Sequence, residues 1–206
     1  MQRAYALFFS ALATNDLATE VLACPVNAPY LFEVLDTLVG VATGCSDAAV
    51  VRTALVCLGT LTRSWLSPNP TSPLPPSLVP RFLNFVVEEV GARAVWGICV
   101  GPAWDPRDAQ GKVLVVEAVG LQACIALSVA ASTGGPLPSI PLSQFSPPDA
   151  LACFAGPPAL TQRGVPPHVA AGFTDRLRSC LDKPGEAVEA FLEVARAVRS
   201  AAGLPP

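Results

Sequence analysis

Where this chain places its prolines decides what it can fold into. Of 22 prolines, six fall between Pro68 and Pro80, five between Pro136 and Pro148, and four at 157, 158, 166 and 167. A proline removes a helix donor and collides with the preceding turn, so each cluster marks a connection. Connections are therefore expected near 67–80, 134–148 and 156–167. Between them lie long tracts, and each repeats its apolar residues at the 3.6-residue period of a helix.

From Tyr30 to Thr43, Leu31, Val34, Leu35, Leu38 and Val41 line one side, with Glu33 and Asp36 opposite. From Asp47 to Leu66, a stripe of Val51, Leu55, Leu58 and Trp65 is widened by Val50, Ala54, Cys57 and Leu61, and Ser46 reads as its N-cap. Leu78, Phe82, Phe85, Val86 and Val90 repeat the pattern from Leu78 to Val90. Asp105-Pro106, Pro166-Pro167 and Pro184-Gly185 open three later helices. In the last one Val188, Phe191, Leu192, Ala195 and Val198 face inward, with Glu186 near its start and Arg196 and Arg199 near its end. No tract alternates with period two between hairpin turns, so strands are not needed. Helices of this length in a repeat near 40 residues predict an all-α, HEAT-like helical solenoid, each helix touching its partner and the next repeat.

Several function classes drop out. Hydrophobic residues make up 51% of the 206 and charged ones 14%, a composition that folds. The seven cysteines at 24, 45, 57, 99, 124, 153 and 180 form no C-x-x-C pair and sit mostly in apolar tracts, so they read as buried free thiols. His168 is the only histidine, which leaves no zinc set and no nucleophile–base pair. Phosphate-binding, dinucleotide-binding and hydrolase motifs are absent, so no enzyme activity and no cofactor are expected. A net charge of −3 argues against a general nucleic-acid binder but permits a few arginines on phosphates.

Three segments compete with this reading. Arg3, the apolar run to Leu12 and Ala11-Leu12-Ala13 mimic a signal peptide, yet the run is amphipathic. Val113 to Ala131 is apolar enough to span a membrane, but Glu117 near its middle favours an inner solenoid helix and no membrane insertion. The P-x-x-P spacings between Pro70 and Pro76 read as a repeat connector.

The stretch from Arg3 to Leu22 is the most specific. Tyr5, Phe8, Phe9 and Leu12 share a helix face, Asn15 and Asp16 read as helix-start residues, and Leu17 to Leu22 begins a second helix. With Arg81-Phe82-Leu83-Asn84-Phe85-Val86 and Asp108-Ala109-Gln110 before Val113-Leu114, it resembles the C-terminal part of the exportin-T family of karyopherins. The resemblance implies a C-terminal helical-repeat region over 1–206, lacking a long N-terminal portion. It also implies a receptor that binds mature tRNA together with the small GTPase Ran in its GTP form. Such a receptor passes nuclear pore proteins, releases its cargo in the cytoplasm and shuttles between nucleus and cytoplasm. Contact with Ran would belong mostly to the missing portion. The candidates for RNA contact are Arg107 and Lys112 near one helix start, Arg176 and Arg178 on another, and Arg196 and Arg199 three apart on the last. The alternative is a HEAT-like protein–protein scaffold with no RNA role.

Overall fold

A computed structural model describes residues 1–67, 73–105, 108–133 and 154–205. Among them the structure is helical throughout, with no strand. Helix α1 spans Gln2–Thr14, α2 Ala18–Leu22, α3 Leu31–Gly44 and α4 Ala48–Leu66. Next, α5 (Val79–Phe85), a π-helical segment (Val86–Ala94) and α6 (Val95–Val100) run on as one helix over 79–100. Helix α7 spans Ala109–Thr133, α8 Pro157–Thr161, α9 Pro167–Ser179 and α10 Val188–Ala201.

The helices sort into two rows. Helix α4 packs between α1 and α7, while α3 packs on the π segment and α6, and α6 packs on α10. Alternate elements therefore stack: α1, α4 and α7 in one row, α3, the 79–100 helix and α10 in the other. Helices α3 and α4 also pack on each other across a three-residue connection, which forces them antiparallel. This is the stacking of a HEAT-like solenoid, in which every helix covers the apolar stripe of a neighbour it could not cover alone. One continuous core results, with Leu35, Leu38, Val39, Leu55, Val86, Val119 and Phe191 fully enclosed. Trp65 is buried as its stripe requires, edge-on to Phe82 at 4.9 Å with its indole N–H donating to Thr19.

Helix ends depart from expectation more than helix faces do. Asn15 and Asp16 close α1 and do not open α2. The Asn15 amide donates to the Ala11 carbonyl, Asp16 adopts φ 57°, and the Leu17 N–H reaches back to the Leu12 carbonyl at 2.9 Å. That six-to-one bond around a left-handed residue is a Schellman closure, and aspartate tolerates the left-handed position better than most side chains. Ser46 is not the cap of α4. Asp47 is, its Oδ1 accepting from the N–H groups of Ala49 and Val50. Phe8, expected on the inner face of α1, is 54% exposed; Ala6, Phe9, Leu12 and Ala13 make the buried face. The helix expected to stop at Val90 continues to Val100 through the π segment.

Among the connections, residues 68–72, 106–107 and 134–153 lie outside the described residues, so the Asp105-Pro106 opening is seen only at Asp105, and Arg107 and Cys153 fall outside. Leu74 in the first cluster is buried, and the 156–167 stretch contains α8. Cys45, Cys57, Cys99, Cys124 and Cys180 are buried and free, and burial pushes the Cys57 and Cys99 thiols up to about 12. His168 is exposed. Helix α7 is long and apolar enough to cross a membrane, but 61% of its apolar window is buried in the stack and Glu117 pairs with Arg52. It is a packed helix of the solenoid, although Val113, Val116 and Leu127 keep one side of it open.

Candidate nucleic-acid interface

The two rows differ in charge. The cations of α1, α4 and α7 are Arg3, Arg52, Arg63 and Lys112, and all four are exposed. Between the helix ends their one carboxylate is Glu117, which accepts from Arg52 Nε at 2.9 Å, while Asp16 follows α1 and Asp47 and Asp108 accept backbone N–H groups at the starts of α4 and α7. At such exposure that pair contributes at most about 1 kcal/mol and opens readily to a stronger anion. Arg3, Arg63 and Lys112 have no carboxylate within ion-pair distance among the described residues. In the opposite row Glu33, Asp36, Glu88, Glu89, Glu189 and Glu193 are set against three accessible arginines, Arg81, Arg93 and Arg196. Arg93 is neutralised by Asp36 at 2.7 Å and Glu89 at 2.6 Å, and Arg81 lies over the Phe32 ring.

The basic row is also a physically continuous surface. Positions 52, 56, 60 and 63 return to one side of α4, presenting Arg52 and Arg63 with Val56 and Thr60 between them. Ala49 lines a small cavity of about 80 Å³ with Arg3, Ala6 and Leu7 of α1. On its other side it lines a groove of about 240 Å³ with Arg52 of its own helix and Gln110 and Val113 of α7. The small side chain of Ala49 lines both hollows and that of Ala48 the second, with Arg3 beside one and Arg52 beside the other. Arg63 lies near enough to the Cys124 thiol, whose pKa burial raises, to pull it partly back down.

The six cations singled out from sequence are scattered. Lys112, in the first turn of α7, belongs to the basic row. Arg107 lies outside the described residues. Arg176 donates from Nε to the Glu186 carbonyl at 3.2 Å and has Nη2 4.0 Å from the Glu186 carboxylate. Arg178 has Nη1 3.7 Å from Asp175. Two residues apart on α9, these arginines do not share a face. Arg196 is exposed on α10, but Arg199, expected beside it, is only 9% exposed. Its guanidinium donates to the carbonyls of Cys99 at 2.9 Å and Pro205 at 2.7 Å and lies over Trp104, so it fastens the last helix to α6 and cannot meet a ligand. The sequence reading missed Arg3, Arg52 and Arg63. Helical spacing alone would have paired Arg52 with Arg63 on α4, whereas Arg3 and Lys112 join them only when charge is summed over alternate helices.

The family model described as Exportin-T matches residues 1–147. Exportin-T of Aspergillus clavatus is 26% identical over 130 residues, covering 61% of this chain and 12% of that protein. Exportin-T of Aspergillus oryzae is 27% identical with the same coverage. Exportin-T of Phaeosphaeria nodorum is 29% identical over 132 residues, covering 59% and 12%. The chain thus spans about an eighth of the length of these curated relatives. No solved structure matches. With the family model matching well over half of a two-row helical stack, the chain belongs to the Exportin-T family.

Proposed function

We propose that this chain serves as the C-terminal arch of a tRNA nuclear export receptor, and that its α1–α4–α7 row meets the tRNA backbone. The segregation of charge along the helix faces supports the reading: between their ends α1, α4 and α7 carry four exposed cations and one carboxylate, the other acids of the row (Asp16, Asp47 and Asp108) lying at helix ends, on a chain of net charge −3. Duplex RNA is recognised mostly through shape and phosphates, which calls for spaced cations on a rigid curved surface. Phosphate contacts position a ligand without reading bases, so a carrier of many tRNAs needs no base-edge readout. In this reading Ran in its GTP form, held mostly by other parts of the receptor, and tRNA stabilise the same closed superhelix. Each then raises affinity for the other, and GTP hydrolysis in the cytoplasm releases both. The receptor does no chemistry, passes nuclear pore proteins and shuttles between nucleus and cytoplasm. Arg176, Arg178 and Arg196 are accessible second-rank contacts, the first two only on leaving their carboxylates.

The test is fluorescence anisotropy of labelled tRNA with the 206-residue chain over a salt series. The parent should bind at low salt with a log–log slope of about −2 to −4, as three or four phosphate contacts require. Arg63→Glu with Lys112→Glu should weaken binding of unrelated tRNAs alike by roughly tenfold or more and flatten the slope. Arg176→Ala with Arg178→Ala should change it less. If the parent binds no tRNA at low salt, the RNA reading falls and the HEAT-like protein scaffold replaces it. If only the α9 pair matters, the basic row is the wrong surface.

A further inference from the structure

A second concave site lies on the other row. A cleft of about 620 Å³ opens between the 79–100 helix, the turn after α8 and the end of α10. Val100 and Ala201 give it exposed apolar walls over the buried Trp96 and Val198, and its two cations are Arg93 and Arg163. No carboxylate lines it. Arg93 already carries Asp36 and Glu89, which leaves Arg163 as the uncompensated charge. Arg163 donates from Nη1 to the Ala159 carbonyl at 2.8 Å and from Nη2 to the Ala92 carbonyl at 3.2 Å. Both partners are neutral, and among the described residues it has no ion pair. Partial burial pulls its pKa down, as expected for a cation stripped of water without an anion in exchange.

The cleft is built, not incidental. Ala92 sits in the π segment, and its carbonyl accepts from Arg163 across the cleft. At Gly91 a Cβ would come within 2.9 Å of the buried Phe154 ring, so the segment is fixed from behind. Gly164, at φ 81°, lets the turn after α8 close on α10, where a Cβ would come within 2.5 Å of Ala201. The guanidinium is thus held by two helix carbonyls at the edge of an apolar hollow, with three of its five N–H groups left over.

We propose that this cleft binds a monocarboxylate carried on an apolar body, the carboxylate forked onto Arg163 and the body against Val100 and Ala201. One uncompensated cation matches one negative charge, and the flat fork of arginine fits a carboxylate bidentately. A phosphate dianion would leave charge unbalanced among apolar walls.

Calorimetric titration of the full chain tests this with octanoate against neutral octanamide, and with a trileucine peptide bearing a free or an amidated C-terminus. At least one acid should bind tenfold or more tighter than its neutral counterpart. Preference for octanoate identifies a free organic acid as the ligand class, and preference for the peptide a protein terminus. Arg163→Gln should abolish the difference, but it also frees two carbonyls and can loosen the fold. Ala202→Glu is the cleaner variant. It sets a carboxylate at an exposed cleft position and should weaken the acid tenfold or more with the thermal midpoint unchanged. Equal binding of acid and amide, no binding of either acid, or an Ala202→Glu variant that binds like the parent overturns the proposal.

Discussion

Gln122 sits on α7 at 0% exposure, and neither its amide nitrogen nor its carbonyl oxygen has a hydrogen-bond partner among the described residues. An amide desolvated without a partner costs about 1–3 kcal/mol, which an isosteric apolar side chain recovers. Gln122→Leu should therefore raise the urea midpoint by an amount equivalent to about 1–3 kcal/mol with an unchanged slope. A lower midpoint would mean the amide is satisfied after all. Trp65 is the opposite case, 3% exposed and both packed and bonded. Trp65→Ala should cost about 3–5 kcal/mol. Trp65→Phe keeps most of the packing while removing the bond to Thr19, so the difference between the two variants separates packing from hydrogen bonding. An alanine variant as stable as the parent would contradict the placement of Trp65 in the core.

At the scale of elements, the apolar periods of α3, α4 and α10 fixed which faces go inward, because burial of a continuous stripe outweighs local detail. Ends are decided by one or two hydrogen bonds, and neighbouring residues compete for them. Ser46 and Asp47 are both good caps, and the extended backbone at Asp47 settles which one is used. Asp47→Ala should destabilise by about 0.5–2 kcal/mol and Ser46→Ala by close to nothing in thermal melts. The reverse order would show that α4 begins one residue earlier. The π segment has no sequence signature, since its cause is tertiary: Phe154 fills the space beside Gly91, and Arg163, far along the chain, takes the carbonyl of Ala92. Phe8 shows the limit of period counting. Four apolar residues on α1 satisfied the spacing, but the adjoining helices, α4 above all, cover only the side that includes Phe9 and Leu12.

For the whole molecule, the candidate interface was hidden because it exists only across alternate helices. Lys112 was legible as a cation near a helix start and Arg52 and Arg63 share one face of α4, but Arg3 and Lys112 join them only when α1, α4 and α7 stack. Arg199 looked equally available and is instead a fastening between helices. The same stacking separates charge across the particle, with cations along the middle of one row and carboxylates concentrated on the other. Such a body turns in an external field before it touches anything, so a polyanion at a distance of a Debye length meets the row of cations first. Its chromatography should betray the asymmetry. At neutral pH, above its pI near 5.1, it should still be retarded on a sulfonate cation exchanger at low salt, and Arg63→Glu with Lys112→Glu should let it run through.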